Sequence, residues 1–205
     1  MKKIISKGLD HTEMLSIFRE ILLRSGIREK DNLIFAGCQG PCYSMATLLS
    51  FGLRDLNLNL YFAVDADIQQ LWRLEYIKNL GVVATQKETP VNPVRNSNGA
   101  LNPAGTNLKC DHAAEQRGII SNGVKAKVLV IMSGLVMVPF EKVLKFANEA
   151  LEKGGVIIGE TVVPGLFQEK SWDKQIPFKY LFEFSMKNPT SFEVDPSPRL
   201  RVVPT

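Results

Sequence analysis

Apolar residues recur along this chain in two rhythms. Residues 12–25 place Met14, Ile17, Phe18, Ile21 and Leu22 at the i, i+3, i+4, i+7, i+8 spacing of one helix face. Asp10 or Thr12 stands where an N-cap belongs, and Gly26 stands at the stop. A short apolar run follows, Leu33–Gly37, which reads as a buried strand. Helical spacing returns over 44–55 through Met45, Leu48, Leu49 and Leu53. Leu60–Val64 reads as a second strand. Asp67 is then placed to cap a helix running through Ile68, Leu71, Leu74 and Ile77 to Gly81, with Val82–Thr85 as a third strand.

Downstream, Val128–Met132 is a continuous apolar and β-branched run, the pattern of a strand buried on both faces. Pro139 opens a helix with Phe140, Val143, Leu144, Ala147 and Leu151 inward. Glu141–Lys145 and Glu149–Lys153 are spaced for surface ion pairs. Gly154-Gly155 ends it, and Val156–Ile158 starts another strand. Phe178–Met186 is a last strand or a short helix. Strands separated by helices predict an α/β fold: a three-layer, doubly wound, mostly parallel sheet of about five to six strands, Rossmann-like or flavodoxin-like.

The rhythm fails over 88–126. This stretch carries Asn-Pro at 92–93 and 102–103 and Ser-Asn-Gly at 97–99 and 121–123. A structureless connection of that length inside a domain is either functional or disordered. It resembles a repeat-derived peptide found in frame in unrelated archaeal proteins, which implies a disordered or loop insertion. Cys110-Asp111-His112 within it offers too few ligands for a metal site. Pro189, Pro196, Pro198 and Pro204 make 188–205 an extended tail. The organisation expected is therefore a single α/β domain over 1–205, interrupted once.

Composition changes this picture only at the margins. The formal net charge is +4. Residues 87–127 hold six Lys/Arg against three Asp/Glu, so most of that charge lies in the insertion. The remainder is nearly neutral, which argues against a nucleic-acid groove. The longest near-apolar run, Val128–Phe140, is short of the ~20 residues of a membrane span. The start carries no signal-type apolar segment. Three cysteines, 38, 42 and 110, are an odd number for a secreted disulfide framework. A cytoplasmic protein with free thiols is expected.

The candidate chemistry lies where strands end. Ligands of open α/β sheets sit beyond the carboxyl ends of the strands, here Gly37–Cys42, Asp65–Asp67, Ser133-Gly134 and Glu160-Thr161. In AGCQGPCYS (36–44), Gly37 and Gly40 permit close backbone approach, and a following helix N-terminus favours an anion. Gly37, Cys38, Gln39, Gly40, Cys42 and Ser44, with Asp65, Ser133 and Gly134, form the expected cradle for a small anionic or nucleotide-like ligand of unidentified kind. The motif G-C-Q-G-P-C lacks the third glycine of a dinucleotide loop and the lysine of a P-loop. An S-adenosylmethionine-dependent, methyltransferase-like enzyme is one alternative, since its order of loop, acid and later strand-end loop is shared. A thiol redox protein using Cys38 and Cys42 is another, although C-x3-C is not the C-x-x-C of thioredoxin-type pairs. Glu160 is a candidate base, set against simple solvation. Trp72 and Trp172 read as core. Homo-oligomers fit the pattern as well as monomers do.

The segments NLIFAGCQGPCYSMATLLSFGLRD (32–55) and KVLVIMSGLVMVPFEKV (127–143) together resemble an uncharacterised archaeal family, a domain of unknown function found in methanogens and their relatives. The resemblance implies a Rossmann-like α/β sandwich without an assigned activity. It carries over Gly37, Gly40, Cys42 and Gly134, and Cys38 and Gln39 less firmly.

Overall fold

Two separate apolar clusters form because the central strands carry hydrophobic side chains on both pleat faces. The structure, a computed structural model, describes residues 2–8, 10–85, 123–184 and 190–194. In chain order the elements are β1 (Lys2–Lys7), α1 (Met14–Arg24), β2 (Asn32–Gly37), α2 (Pro41–Phe51), β3 (Asn59–Val64), β4 (Leu71–Ile77) and β5 (Gly81–Thr85). There follow β6 (Ala126–Met132), α3 (Phe140–Ala150), β7 (Leu151–Thr161), α4 (Leu166–Glu169), β8 (Phe178–Glu183) and β9 (Thr190–Val194). All nine strands join one sheet in the order β1-β9-β8-β7-β6-β2-β3-β4-β5.

This sheet corrects the expected fold class. It is mixed, not mostly parallel, and among the described residues it has nine strands rather than five to six. Parallel pairing is confined to the centre, where β8, β7, β6, β2 and β3 lie side by side. Antiparallel strands flank it on both sides: β4 and β5 beyond β3, β9 and β1 beyond β8. The central strands are the continuous apolar runs, because only a strand covered on both faces needs one.

The helix expected over 67–81 is instead the β4–β5 hairpin. Asp67 does not cap a helix; its carboxylate accepts the Gln69 N–H at 2.9 Å and stabilises the turn into β4. Asp65 and Ala66 take φ of 50° and 53° in that turn. The chain then reverses a second time at 78–80, where Asn79 and Gly81 have φ of 69° and 95°. Leu71, Trp72, Tyr76 and Ile77 suit a strand as well as a helix, and pairing with β3 and β5 decides between them.

Other boundaries shift less. Helix α2 begins at Pro41, its first-turn proline, three residues before the expected start. Helix α3 stops at Ala150, and β7 begins at once with Leu151. Lys153 therefore falls in β7 instead of on the helix, and the ion pair formed on the helix surface is Lys145 with Glu149, at 3.9 Å, in place of the expected Glu141–Lys145 and Glu149–Lys153. Phe178–Glu183 resolves as a strand. Within the stretch expected to be a tail, Thr190–Val194 forms β9 between β8 and β1. Most of the expected insertion, 86–122 with Cys110 and His112, lies outside the described residues, and Ala126 already belongs to β6.

Helices α1 and α2 cover one face, built on Phe18, Phe35, Phe62, Val130, Ile158 and Phe182. Helices α3 and α4 cover the other, built on Ile34, Leu129, Phe146, Phe167 and Leu181. Tyr43 of α2 ties the first face to the hairpin: its ring meets Phe62 and Trp72 edge-on, at 5.5 and 5.7 Å. The Ala84 N–H donates to its hydroxyl at 3.0 Å. Among the described residues no helix is long and apolar enough to cross a membrane.

Candidate functional site

Strand β2 delivers its last residue, Gly37, to the carboxyl edge of the parallel centre, and the chain turns at once into α2. Cys38 therefore lies in the turn and Cys42 in the first turn of the helix. The spacing brings their side chains together: the Cys38 thiol donates to the Cys42 sulfur at 3.2 Å. Cys38 is half-buried and Cys42 is buried, and both are free thiols.

Two glycines make room for this pair. A Cβ at Gly134 would stand 2.4 Å from the Cys42 Sγ and 2.7 Å from the Cys38 Sγ. A Cβ at Gly37 would stand 2.4 Å from the Cys42 Cβ and 3.2 Å from the Met132 Sδ. Both distances fall inside van der Waals contact, so a side chain at either position would displace the sulfurs. Gly134 follows β6 directly, in the short helical turn Ser133–Met137. Strand β2 and the turn after β6 thus contribute one glycine each, and the cysteines fill the space between them.

Burial pushes the Cys42 thiol up to about 12. Cys38 raises it further in two ways, through the side-chain hydrogen bond the two thiols share and through the repulsion that two neighbouring thiolates would suffer. The backbone N–H groups of Cys38 and Gly134 act on the same sulfur in the opposite direction. Donors of that kind are what a bound phosphate would use; here they serve a cysteine.

Glu160 ends the same edge. It is 1% exposed, lies opposite Met132 in the β6–β7 ladder, and its carboxyl is pushed up to about 7 by burial. The Ser133 backbone N–H partly offsets that rise.

The residues expected from the sequence divide accordingly. Gly37, Cys38, Cys42 and Gly134 meet in one cluster, with Ser133 beside it. Gln39, Gly40 and Ser44 are exposed on the turn and the outer side of α2. Gly40 caps α2 without a side-chain hydrogen bond, and a Cβ there would meet nothing within 4 Å. Asp65 donates its backbone N–H to the Gly37 carbonyl at 2.9 Å, while its side chain is exposed. The sequence pattern does not single out Met132, and it leaves Glu160 between a base and a solvated acid. The signal for Glu160 is its place: an acid directly after the apolar run of β7, Val156-Ile157-Ile158-Gly159.

Residues 7–95 match an archaeal family. Its description is "Uncharacterized protein conserved in archaea (DUF2124)". The matched stretch contains the cysteine pair and Asp65, while Ser133, Gly134 and Glu160 lie beyond it. An uncharacterized protein of Methanocaldococcus jannaschii is 24% identical over 189 residues, covering 90% of this chain and 91% of that protein. A crystal structure of a protein of unknown function from Methanothermobacter thermautotrophicus superposes with a TM-score of 0.61 at 21% identity, covering 88% of this chain and 92% of that one. This second likeness is one of fold.

Proposed function

We propose that this chain is a dithiol protein whose Cys38 and Cys42 exchange with the disulfide of a substrate. The observation that carries the reading is the contact of the two sulfurs, 3.2 Å apart, against a glycine from the turn after β6. They need to close by only about 1.2 Å to reach a disulfide of about 2.05 Å. The pair is also graded in access, as such exchange requires. Cys38, half-buried, attacks one sulfur of the substrate disulfide and expels the other as a thiolate. Cys42, buried, then loses its proton and attacks the Cys38 sulfur, expelling the second substrate thiolate. Two electrons and two protons pass from the dithiol to the substrate.

Equilibration with glutathione redox buffers tests this on a Cys110→Ser background. The expected result is a reversible loss of two hydrogens, mapped by peptide mass to a Cys38–Cys42 disulfide and absent in Cys38→Ser and Cys42→Ser. If no 38–42 disulfide forms at any glutathione ratio, the reading fails.

A second reading, a small anionic or nucleotide-like ligand at the same strand ends, draws on the α2 N-terminus, whose Gly40 cap leaves first-turn N–H groups without a side-chain acceptor. A methyltransferase-like cofactor would use the same place. Thermal shifts with nucleotides, S-adenosylmethionine and simple phosphates, on wild type and Asp65→Ala, separate these readings from the dithiol one. Ligand at 100 times its dissociation constant stabilises by roughly 2.7 kcal/mol.

A further inference from the structure

Cys42 poses a problem for any dithiol exchange, because a thiol held so high stays protonated at neutral pH while the thiolate is the nucleophile. A resolving cysteine in this position needs a group to take its proton. We infer that the Glu160 carboxyl is that proton acceptor. The inference rests on the dithiol reading and deepens it.

Sheet register places Glu160 on the row of strand ends that Cys42 packs against, two strands from Gly37. Ala36 pairs with Ile131, which sets Gly37 beside Met132, and Met132 pairs with Glu160. Gly37, Met132 and Glu160 thus form one row across β2, β6 and β7. Alternation fixes the face. Val156 and Ile158 belong to the cluster covered by α1 and α2, and so do Val128, Val130 and Met132, their partners and neighbours in register. Glu160, two residues after Ile158, falls on that face. Cys42 is in the same cluster and touches the row at Gly37. The chain after β6 joins the two groups: Ser133 presents its N–H toward the carboxyl, and Gly134 abuts both sulfurs.

Among the described residues one backbone donor, the Ser133 N–H, serves the acid there, and it serves only part of it. The Glu160 Oε1 is inaccessible and has no hydrogen-bond partner. A buried, unsatisfied carboxyl is costly, and such groups are retained where they work. The elements packed on this face bring few other titratable groups toward it. From α2 and its entering turn come Cys38 and Cys42. Helix α1 turns Met14, Ile17, Phe18, Ile21 and Leu22 inward, with Glu13 exposed at its start. Strand β6 brings Met132, and β8 brings Phe182 and Tyr180, whose hydroxyl donates to the Arg24 carbonyl at 3.0 Å. The carboxyl's own shift, caused by burial first, puts it in the range where a group accepts and returns a proton near neutrality.

The test isolates the resolving step. Cys38 is converted to its mixed disulfide with thionitrobenzoate on the Cys110→Ser background, and release of thionitrobenzoate is followed from pH 5 to 9. The expected result is a wild-type rate that inflects near pH 7, with Glu160→Gln slowed about tenfold or more at pH 7 and lacking the inflection. Glu160→Asp is expected to restore part of the rate. Identical profiles in wild type and Glu160→Gln would overturn the inference and leave the dithiol reading standing. Absence of release in the wild type would overturn both. Should Glu160→Gln not fold, the protonated carboxyl stretch of the wild type decides by infrared titration: its midpoint is expected to move between dithiol and disulfide forms, and an unmoved midpoint overturns the inference.

Discussion

Gly134 is shaped around Cys42: the Cβ it lacks would lie 2.4 Å from the Cys42 sulfur. One residue at the end of β6 therefore sets the position of a thiol that belongs to β2 and α2. Gly134→Ala is expected to destabilise the fold by about 1–3 kcal/mol, the usual cost of overpacking. The same variant is expected to slow Cys38–Cys42 disulfide formation. Urea denaturation, with disulfide formation timed in parallel, checks both; unchanged stability and rate would mean the sulfurs are held by something else.

The two thiols should differ sharply toward an alkylating reagent. Cys38 is half-buried, whereas Cys42 is 5% exposed and held protonated. Iodoacetamide at pH 8 is expected to modify Cys38 first, with Cys42 following at the rate of global unfolding. Peptide mapping over time reads this, and equal rates at the two sites would contradict the burial described.

Glu160 makes stability fall with rising pH. Its folded-state value, about 7, lies above the ordinary 4.5, so the folded protein holds the proton more tightly than the unfolded chain. The resulting stability is full below pH 4.5 and is lost as pH rises through 7. A shift of that size corresponds to about 3 kcal/mol. Urea midpoints measured between pH 4.5 and 8 are expected to decline in the wild type and to flatten across this window in Glu160→Gln. A wild-type curve without the decline would place the carboxyl in a wetter setting.

Tyr180 fastens β8 to the end of α1 through its hydroxyl, which donates to the Arg24 carbonyl at 3.0 Å from a residue only 3% exposed. Tyr180→Phe leaves that carbonyl short of a donor and is expected to cost about 1 kcal/mol. Thermal unfolding reads the loss, and no change would mean water replaces the hydroxyl.

The chain's own pattern was enough to determine α1 and its inward face, the buried strands β2, β3 and β6, Val143 and Ala147 on the inward face of α3 though not Phe146, and the strand ends where Gly37, Cys38, Cys42 and Gly134 meet. These are features that local periodicity and strand-end glycines encode, because each follows from one element burying its own apolar side. The tertiary structure alone decided the rest. Leu71–Ile77 has a spacing compatible with a helix, and only ladders to β3 and β5 make it a strand. β1 and β9 carry few buried side chains and exist by pairing at the sheet's margin. Glu160 looks in the sequence like an acid leaving a strand for water. It becomes a buried group in the row that ends at Gly37, on which Cys42 packs, because register across three strands, which no single segment contains, sets Gly37, Met132 and Glu160 side by side.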